Sequence, residues 1–371
     1  MGQFINTYHT LTLDGITRSG EVLRDYCSAQ LSDDGIADWE IAIYQFCLNW
    51  LSSDDTIVAQ TSGSTGTPKE IKIQKKHMVA SAEKTIAYFN LEPGDTALLP
   101  LSANYIAGKM MLVRAFVGRL SIIGMVPCSN PIAELKQHVN FAPLVPMQVI
   151  NALQTVKGEW PVDTIIIGGG AISDIYKEQL RLKQTAFYET YGMTETVSHI
   201  ALKNISESSF LALKGVSFSS DERECLCIDA PDVVSEKIVT NDIVQLNSQT
   251  SFSFIGRYDN VINTGGIKLV PEKLEAKIVA HLKTPFVISS LPNDLLGEEL
   301  VLVYTDPTLT KAKLSDIFRK TKLTKYEMPR KAILLSQLPL TETEKVKRAY
   351  LKGLIAKADA QCIMKKIMFK P

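Results

Sequence analysis

Thr61-Ser62-Gly63-Ser64-Thr65-Gly66-Thr67-Pro68-Lys69 follows directly on the apolar run Ile57-Val58-Ala59, and the rest of the chain is read outward from it. Hydroxyl side chains, two glycines and a lysine crowd into this short stretch. Glycine lets backbone N–H groups approach an anion closely, Ser and Thr add hydroxyl donors, and Lys supplies a point charge. Such a loop suits a polyphosphate. It is not the P-loop pattern Gly-x-x-x-x-Gly-Lys-Ser/Thr, because Pro68 precedes Lys69 and Glu70 follows it. On these residues alone, a Gly/Ser/Thr surface turn is the competing reading.

The 371 residues exceed the usual size of one domain, so two are expected. Hydrophobic content of 45% and charged content of 22% are ordinary for a globular protein with a sizeable core. Forty basic and forty acidic residues cancel, which gives no electrostatic case for nucleic acid or an anionic membrane. No apolar run approaches the roughly 20 residues that span a bilayer. Met1-Gly2-Gln3-Phe4 lacks the basic and apolar regions of a secretory signal. Cysteines at 27, 47, 128, 225, 227 and 362 lack zinc-ligand spacing, and reduced thiols of a cytoplasmic protein fit them best. Cys225-x-Cys227 reads as two faces of one strand rather than a redox pair.

Residues 1–50 read as an irregular lead-in followed by a helix near Trp39–Leu51. From 57 to about 200, short apolar runs alternate with helical patterns. Strand-like runs are Ile57–Thr61, Ala97–Leu99, Ser121–Met125 and Thr164–Ile167, and the helical ones are Met78–Phe89, Ile106–Val117 and Ser173–Leu182, which Ser173 could cap. This alternation predicts an α/β fold, a mainly parallel sheet flanked by helices, with ligands beyond the carboxyl ends of strands. Thr61–Lys69 and Gly168-Gly169-Gly170-Ala171 both follow strands directly. Residues 215–256 read as a short β subdomain, with strands at Glu224–Asp229, Ile243–Leu246 and Phe252–Ile255. Beyond it, helices at Pro271–Leu282 and Lys311–Lys322 and strands at Phe286–Leu291, Leu300–Tyr304 and Lys331–Leu335 form a small α+β unit.

Three further segments carry chemistry: Tyr191-Gly192-Met193-Thr194-Glu195-Thr196, Gly256-Arg257-Tyr258-Asp259-Asn260 running into Thr264-Gly265-Gly266-Ile267-Lys268, and Pro339-Leu340-Thr341-Glu342-Thr343-Glu344-Lys345. With Thr61–Lys69, and in this order, they resemble the motifs of the ANL superfamily of adenylate-forming enzymes: acyl- and aryl-CoA synthetases, luciferases and the adenylation domains of peptide synthetases. The resemblance implies an acid–thiol ligase that uses ATP, Mg²⁺ and coenzyme A. It implies an N-terminal AMP-binding domain over 1–258 and a mobile lid domain over 259–371, pivoting at the hinge residue Asp259.

It also implies roles. Thr61, Ser62, Gly63, Ser64, Thr65, Gly66, Thr67 and Lys69 would hold the outer phosphates. Thr194 would contact the α-phosphate and Glu195 the metal. Gly168, Gly169, Gly170 and Ala171, with Tyr191, Gly192 and Met193, would bracket the adenine. Asp242 would accept the ribose hydroxyls, Arg257 would complete ribose and phosphate contacts, and Lys345 would bridge carboxylate and α-phosphate. The hairpin bearing Gly265, Gly266 and Lys268 would face the site during thioester formation. Two departures stand out. Asn241 replaces the glycine of the usual Thr-Gly-Asp, Asn also tolerating a left-handed turn, and Glu344 replaces the glycine before Lys345, with Lys347 as a competitor.

Leu99-Pro100-Leu101-Ser102, Val145-Pro146-Met147-Gln148 and Asn260–Gly266 are most similar to the o-succinylbenzoate–CoA ligases of menaquinone synthesis. Where such ligases often have Pro-Leu-x-His, this chain has Ser102-Ala103-Asn104-Tyr105 and no histidine. The expected acid pocket comprises Ser102, Tyr105, Gly108, Lys109, Thr196 and His199. Lys109, Arg114 and His199 are the candidates to hold the carboxylate that does not react. Other aryl- or acyl-CoA synthetases, an enzyme loading a carrier protein, and a nucleotide-binding regulator without turnover remain alternatives.

Overall fold

The expected irregular lead-in is instead a hairpin followed by a helix. Strands β1 (Thr10–Leu13) and β2 (Ile16–Ser19) pair antiparallel through Asp14 and Gly15, whose φ angles of 50° and 78° make the two-residue turn that suits strand twist. This computed structural model describes residues 7–60, 70–341, 346–360 and 366–369. They form two compact units: Met1–Phe218 with Ile228–Ile238 and Asn247–Phe252, and Ser219–Cys227 with Val239–Leu246 and Ser253–Pro371.

In the first unit, α1 (Gly20–Leu31) and α2 (Asp38–Trp50) precede β3 (Thr56–Gln60) and β4 (Glu70–Gln74). Then α3 (Lys75–Phe89), β5 (Thr96–Leu99), α4 (Ile106–Gly118) and β6 (Ser121–Gly124) alternate. They continue through α5 (Pro131–Glu134), β7 (Val139–Leu144), α6 (Pro146–Thr155), β8 (Val162–Ile167), α7 (Asp174–Leu180) and β9 (Ala186–Gly192), and β10 (His199–Asn204) and β11 (Phe210–Ala212) follow. The sheet order is β2-β1-β6-β5-β7-β8-β9-β10-β11. Pairing is parallel from β1 to β9 and antiparallel beyond, so the expected mainly parallel sheet is present. Its central strands β5, β7 and β8 are buried along most of their length on both faces, which is why they read as apolar runs. Leu98, Leu144, Ile165, Ile167 and Phe187 pack against Val149 and Ala152 of α6, with Trp160 edge-on to Phe187 at 5.5 Å.

Strand β3 does not belong to that sheet. It pairs only with β4, antiparallel, in unbroken register from Thr56↔Gln74 to Gln60↔Glu70. Thr61–Lys69, expected to follow a strand directly, comes after β3 and before β4 in the sequence and lies outside the described residues. Two smaller expectations also fail. Ser173 occupies the N-cap of α7 but makes no capping bond with its side chain. Cys225 and Cys227 lie on one strand and are both buried free thiols, since residues two apart share a face.

The second unit shows period-two alternation clearly. Strands β12 (Ser217–Ser220), β13 (Cys225–Asp229), β14 (Ile238–Ser248) and β15 (Ser251–Arg257) lead to β16 (Ile262–Thr264), β17 (Ile267–Leu269), α8 (Pro271–Ile278), β18 (Phe286–Asn293) and β19 (Gly297–Tyr304). Then come α9 (Lys311–Thr321), β20 (Lys331–Leu334), α10 (Arg348–Ala360) and β21 (Lys366–Met368). Leu300, Leu302 and Tyr304 of β19 pack on one side with Leu274 and Ile278 of α8 and Leu314 and Phe318 of α9. Val301 and Val303, between them, pack on the other side with Leu351 and Ile355 of α10. A strand covered by helices on both faces must be apolar at every position, and Leu300–Tyr304 is. No helix among the described residues is long and apolar enough to cross a membrane.

Candidate active site

At the carboxyl end of β8 the chain turns sharply. Gly168 N–H donates to Leu144 O at 2.9 Å, and Gly169 takes φ +84°, a conformation L side chains rarely adopt. Thr190 Oγ1 on the neighbouring β9 donates to Ile167 O at 3.2 Å, and a Cβ on Gly168 would crowd that hydroxyl. The glycines thus fix a backbone ledge beside Tyr191. The Tyr191 ring is 9% exposed and packs edge-on to Phe252 at 4.9 Å and tilted to Phe210 at 5.8 Å.

Beyond Tyr191 the chain reverses within a few residues. Gly192 faces His199 across the β9–β10 ladder, where a Cβ would strike the Ser198 carbonyl. Thr194–Thr196 forms one 3₁₀ turn. Thr196 is fully buried, and its hydroxyl accepts from Met193 N–H at 2.9 Å and reaches Ser198 O at 2.8 Å, so it holds the turn itself together. Val197 then takes φ +65°, ψ −53°, with Ser198 N–H donating to Thr196 O at 2.7 Å. This is a γ-turn of the strained hand, more costly still for a β-branched residue. The turn leaves the Glu195 carboxylate exposed, with no hydrogen bond or ion pair among the described residues.

Around the residues expected to form the acid pocket, Met110–Phe116 of α4 are all buried, so this is a core helix. Arg114 lies within it at 2% exposure. Its Nη2 donates to Ser198 Oγ at 3.0 Å and its Nη1 contacts Met111 Sδ at 3.3 Å, while Nε is buried with no hydrogen-bond partner. Among the described residues no carboxylate pairs with it. Burial pushes its pKa down to about 9. His199, 6% exposed, has Nε2 at 3.0 Å from Thr85 Oγ1, which is also 3.1 Å from Ser81 O. The consistent assignment has Thr85 donating to Ser81 O and accepting from Nε2–H, with Nδ1 turned toward Ser198 Oγ. Burial, then the Arg114 charge, holds the His199 pKa well below the ordinary value, so the ring is neutral.

Lys109, one turn before Arg114, is half-buried and likewise lacks an acidic partner among the described residues. Its Nζ donates to Ala103 O at 2.7 Å, and burial lowers its pKa. Gly108 packs so closely on the Ser102 carbonyl that a Cβ would collide with it. Ser102 Oγ accepts from Asn104 N–H at 3.2 Å, and Tyr105, 44% exposed, starts α4.

In the second unit, Asp242 is 7% exposed, and Arg257 Nε lies 3.3 Å from its Oδ1. Arg257 Nη2 also donates to Asp259 Oδ2 at 3.0 Å, so one guanidinium joins the expected ribose acceptor to the expected hinge. Asn241 sits within β14 and is not left-handed, so no glycine-like turn occurs there. Gly265 and Gly266, at φ +59° and +83°, close the β16–β17 hairpin, with Lys268 exposed on β17. Thr61–Lys69 and Glu342–Lys345 lie outside the described residues. The flanks of the latter are pinned by the bridge Leu340↔Val346 and by Lys347 N–H donating to Pro339 O at 2.9 Å.

Sequence reasoning missed Ser198, Thr85 and Glu189. Ser198 joins Arg114 to His199 and Thr85 holds the other side of the ring from a separate helix, and no spacing rule links positions 85, 114 and 199. Glu189, buried on β9, accepts from Ile172 N–H at 3.2 Å just beyond the glycine ledge and pairs with Lys177 at 2.9 Å and Lys203 at 2.8 Å. Its signal was an acidic residue inside a buried strand, which demands a buried cation.

Residues 19–218 match the family described as AMP-binding enzyme. A 2-succinylbenzoate–CoA ligase of Listeria monocytogenes is 23% identical over 367 residues, covering 90% of this chain and 77% of that one. A 4-chlorobenzoate–CoA ligase of an Arthrobacter species is 25% identical over 354 residues, covering 81% and 66%. Among solved structures, an AMP-forming acyl-CoA synthetase/AMP-acid ligase II-like protein from Dyadobacter fermentans is 31% identical, with a TM-score of 0.58 and coverage of 89% of this chain and 98% of that one. With residues 19–218, over half of its length, matched to that family, this chain belongs to the AMP-binding enzymes, the adenylate-forming CoA ligases of the ANL superfamily.

Proposed function

We propose that this enzyme joins o-succinylbenzoate to coenzyme A through an acyl-adenylate, as a step of menaquinone synthesis. The carrying observation is Arg114. A buried guanidinium without a carboxylate is costly, and a second carboxylate on the substrate would supply the missing partner. Ser198 Oγ links it to neutral His199, and Lys109 on the same helix is a second half-buried cation without an acidic partner among the described residues. The five described cysteines are free, which supports a reducing, cytoplasmic setting.

On this reading the aliphatic carboxylate attacks the α-phosphorus of ATP and pyrophosphate leaves. Bound Mg²⁺ supplies neutralisation of the phosphate oxygens. Glu195 fits as its protein ligand, since its exposed, unpartnered carboxylate is the hard oxygen donor such a cation takes beside phosphate oxygens. Thr194 contacts the α-phosphate, the ledge at Gly168–Ala171 and Tyr191 receive adenine, Asp242 and Arg257 hold ribose, and Lys345 steadies the charge between carboxylate and phosphate. A pivot at Asp259, on a domain boundary at 258/259, then brings the Gly265–Gly266 hairpin to the site, where coenzyme A takes the acyl group.

A second reading, ligation of an aromatic monocarboxylate, is favoured by the missing histidine at Ser102–Tyr105. A pyrophosphate-release screen over aryl, acyl and amino acids, with and without coenzyme A, separates the two. The proposal expects o-succinylbenzoate to lead the screen, with AMP and pyrophosphate as products. A preference for benzoates lacking the second carboxylate rejects the substrate, and release of ADP and phosphate rejects the mechanism.

A further inference from the structure

Asp259, the proposed pivot, is held by more than Arg257. Asn241 Nδ2 donates to its carboxylate at 3.1 and 3.4 Å. The amide is itself fixed, because Arg223 Nη1 donates to Asn241 Oδ1 at 3.0 Å. Arg223 is anchored in turn by Asp221 Oδ2 at 2.8 Å and Thr240 O at 3.3 Å, and its guanidinium lies over the Tyr258 ring at 5.1 Å. Both Tyr258 and Asp259 are therefore tied to the strands that carry Asp242. The next residue is tied elsewhere: Asn260 Nδ2 donates to Glu272 Oε1 of α8 at 2.5 Å. Backbone torsions that change at the pivot would have to turn between these two sets of anchors. A glycine at 241 has no side chain and could make neither bond.

We propose that Asn241 and Arg223 are positioning residues that clasp Asp259 and slow the torsional change by which the enzyme passes from adenylation to thioester formation. The proposal rests on the reading of Asp259 as the pivot. The clasp is partly exposed, so its weight is that of ordinary hydrogen bonds, and losing it changes a rate by roughly two- to tenfold.

The test follows the distance between fluorophores on Lys157→Cys and Lys357→Cys, in full-length enzyme whose reactive native thiols are replaced, after mixing preformed enzyme-bound acyl-adenylate with coenzyme A. Asn241→Gly and Arg223→Met should each speed the distance change roughly two- to tenfold. Asn241→Asp, which sets carboxylate against carboxylate, should speed it more than Asn241→Gly. Unchanged rates in all three variants, against a wild type that does move, overturn the clasp alone. A wild type that makes thioester with no change in distance overturns the pivot reading, and the clasp with it.

Discussion

Glu189 and Arg114 are both about 2% exposed and both lie in the first unit, yet their surroundings differ in kind. Glu189 has two lysines within 2.9 Å and a backbone N–H, so the fold supplies the counter-charge a buried carboxylate requires. Arg114 has a serine hydroxyl and a methionine sulfur, with Nε left over. A buried charge that is fully partnered belongs to the architecture. One without a counter-charge among the described residues carries a cost that a ligand's carboxylate would offset.

That contrast can be broken in order of effect. Glu189→Leu removes the carboxylate shared by buried Lys177 and half-buried Lys203 and should destabilise the protein by about 3–5 kcal/mol in denaturant unfolding. A loss below about 1 kcal/mol would show that water, not Glu189, satisfies Lys177 and Lys203. Arg114→Met should act in the opposite direction. Removing an unpaired buried charge while keeping the volume should stabilise the substrate-free protein by about 1–3 kcal/mol. A comparable loss would mean that Arg114 is a structural group like Glu189.

His199 gives the smallest effect and the clearest sign. Its folded pKa lies below the unfolded value of about 6.5, so between the two the unfolded chain binds a proton that the native protein does not. The contribution of His199 to stability is therefore constant above about pH 6.5 and falls as pH drops below it, by up to about 1.4 kcal/mol per pH unit. His199→Asn should flatten that part of the stability profile. Parallel profiles for wild type and variant would place the ring in contact with water.

Legibility followed the range of the interactions. The sheets were readable because strand segments buried on both faces are apolar, as in Ile165–Ile167 of the parallel sheet and Leu300–Tyr304 of the smaller one. The β1–β2 hairpin went unread although Asp14-Gly15 is a strong two-residue turn signal, because the flanking strands are only four residues each. That β3 pairs with β4 outside the main sheet was not legible, since pairing partners leave no local trace. Arg114 and His199 could be named as candidates from position. Their connection through Ser198 could not, because it depends on the strained turn at Val197 bringing β10 against a buried helix.

Arg114, without a carboxylate among the described residues, is the proposed seat of the second carboxylate of the acid substrate. The direct measurement is kcat/KM for o-succinylbenzoate and for an aromatic monocarboxylate in wild type and Arg114→Met. The account predicts a loss of roughly 10²–10³-fold for the dicarboxylate, the cost of leaving one charge of a buried pair without its partner, with little change for the monocarboxylate. Equal losses for both acids, or no loss for the dicarboxylate, would contradict it.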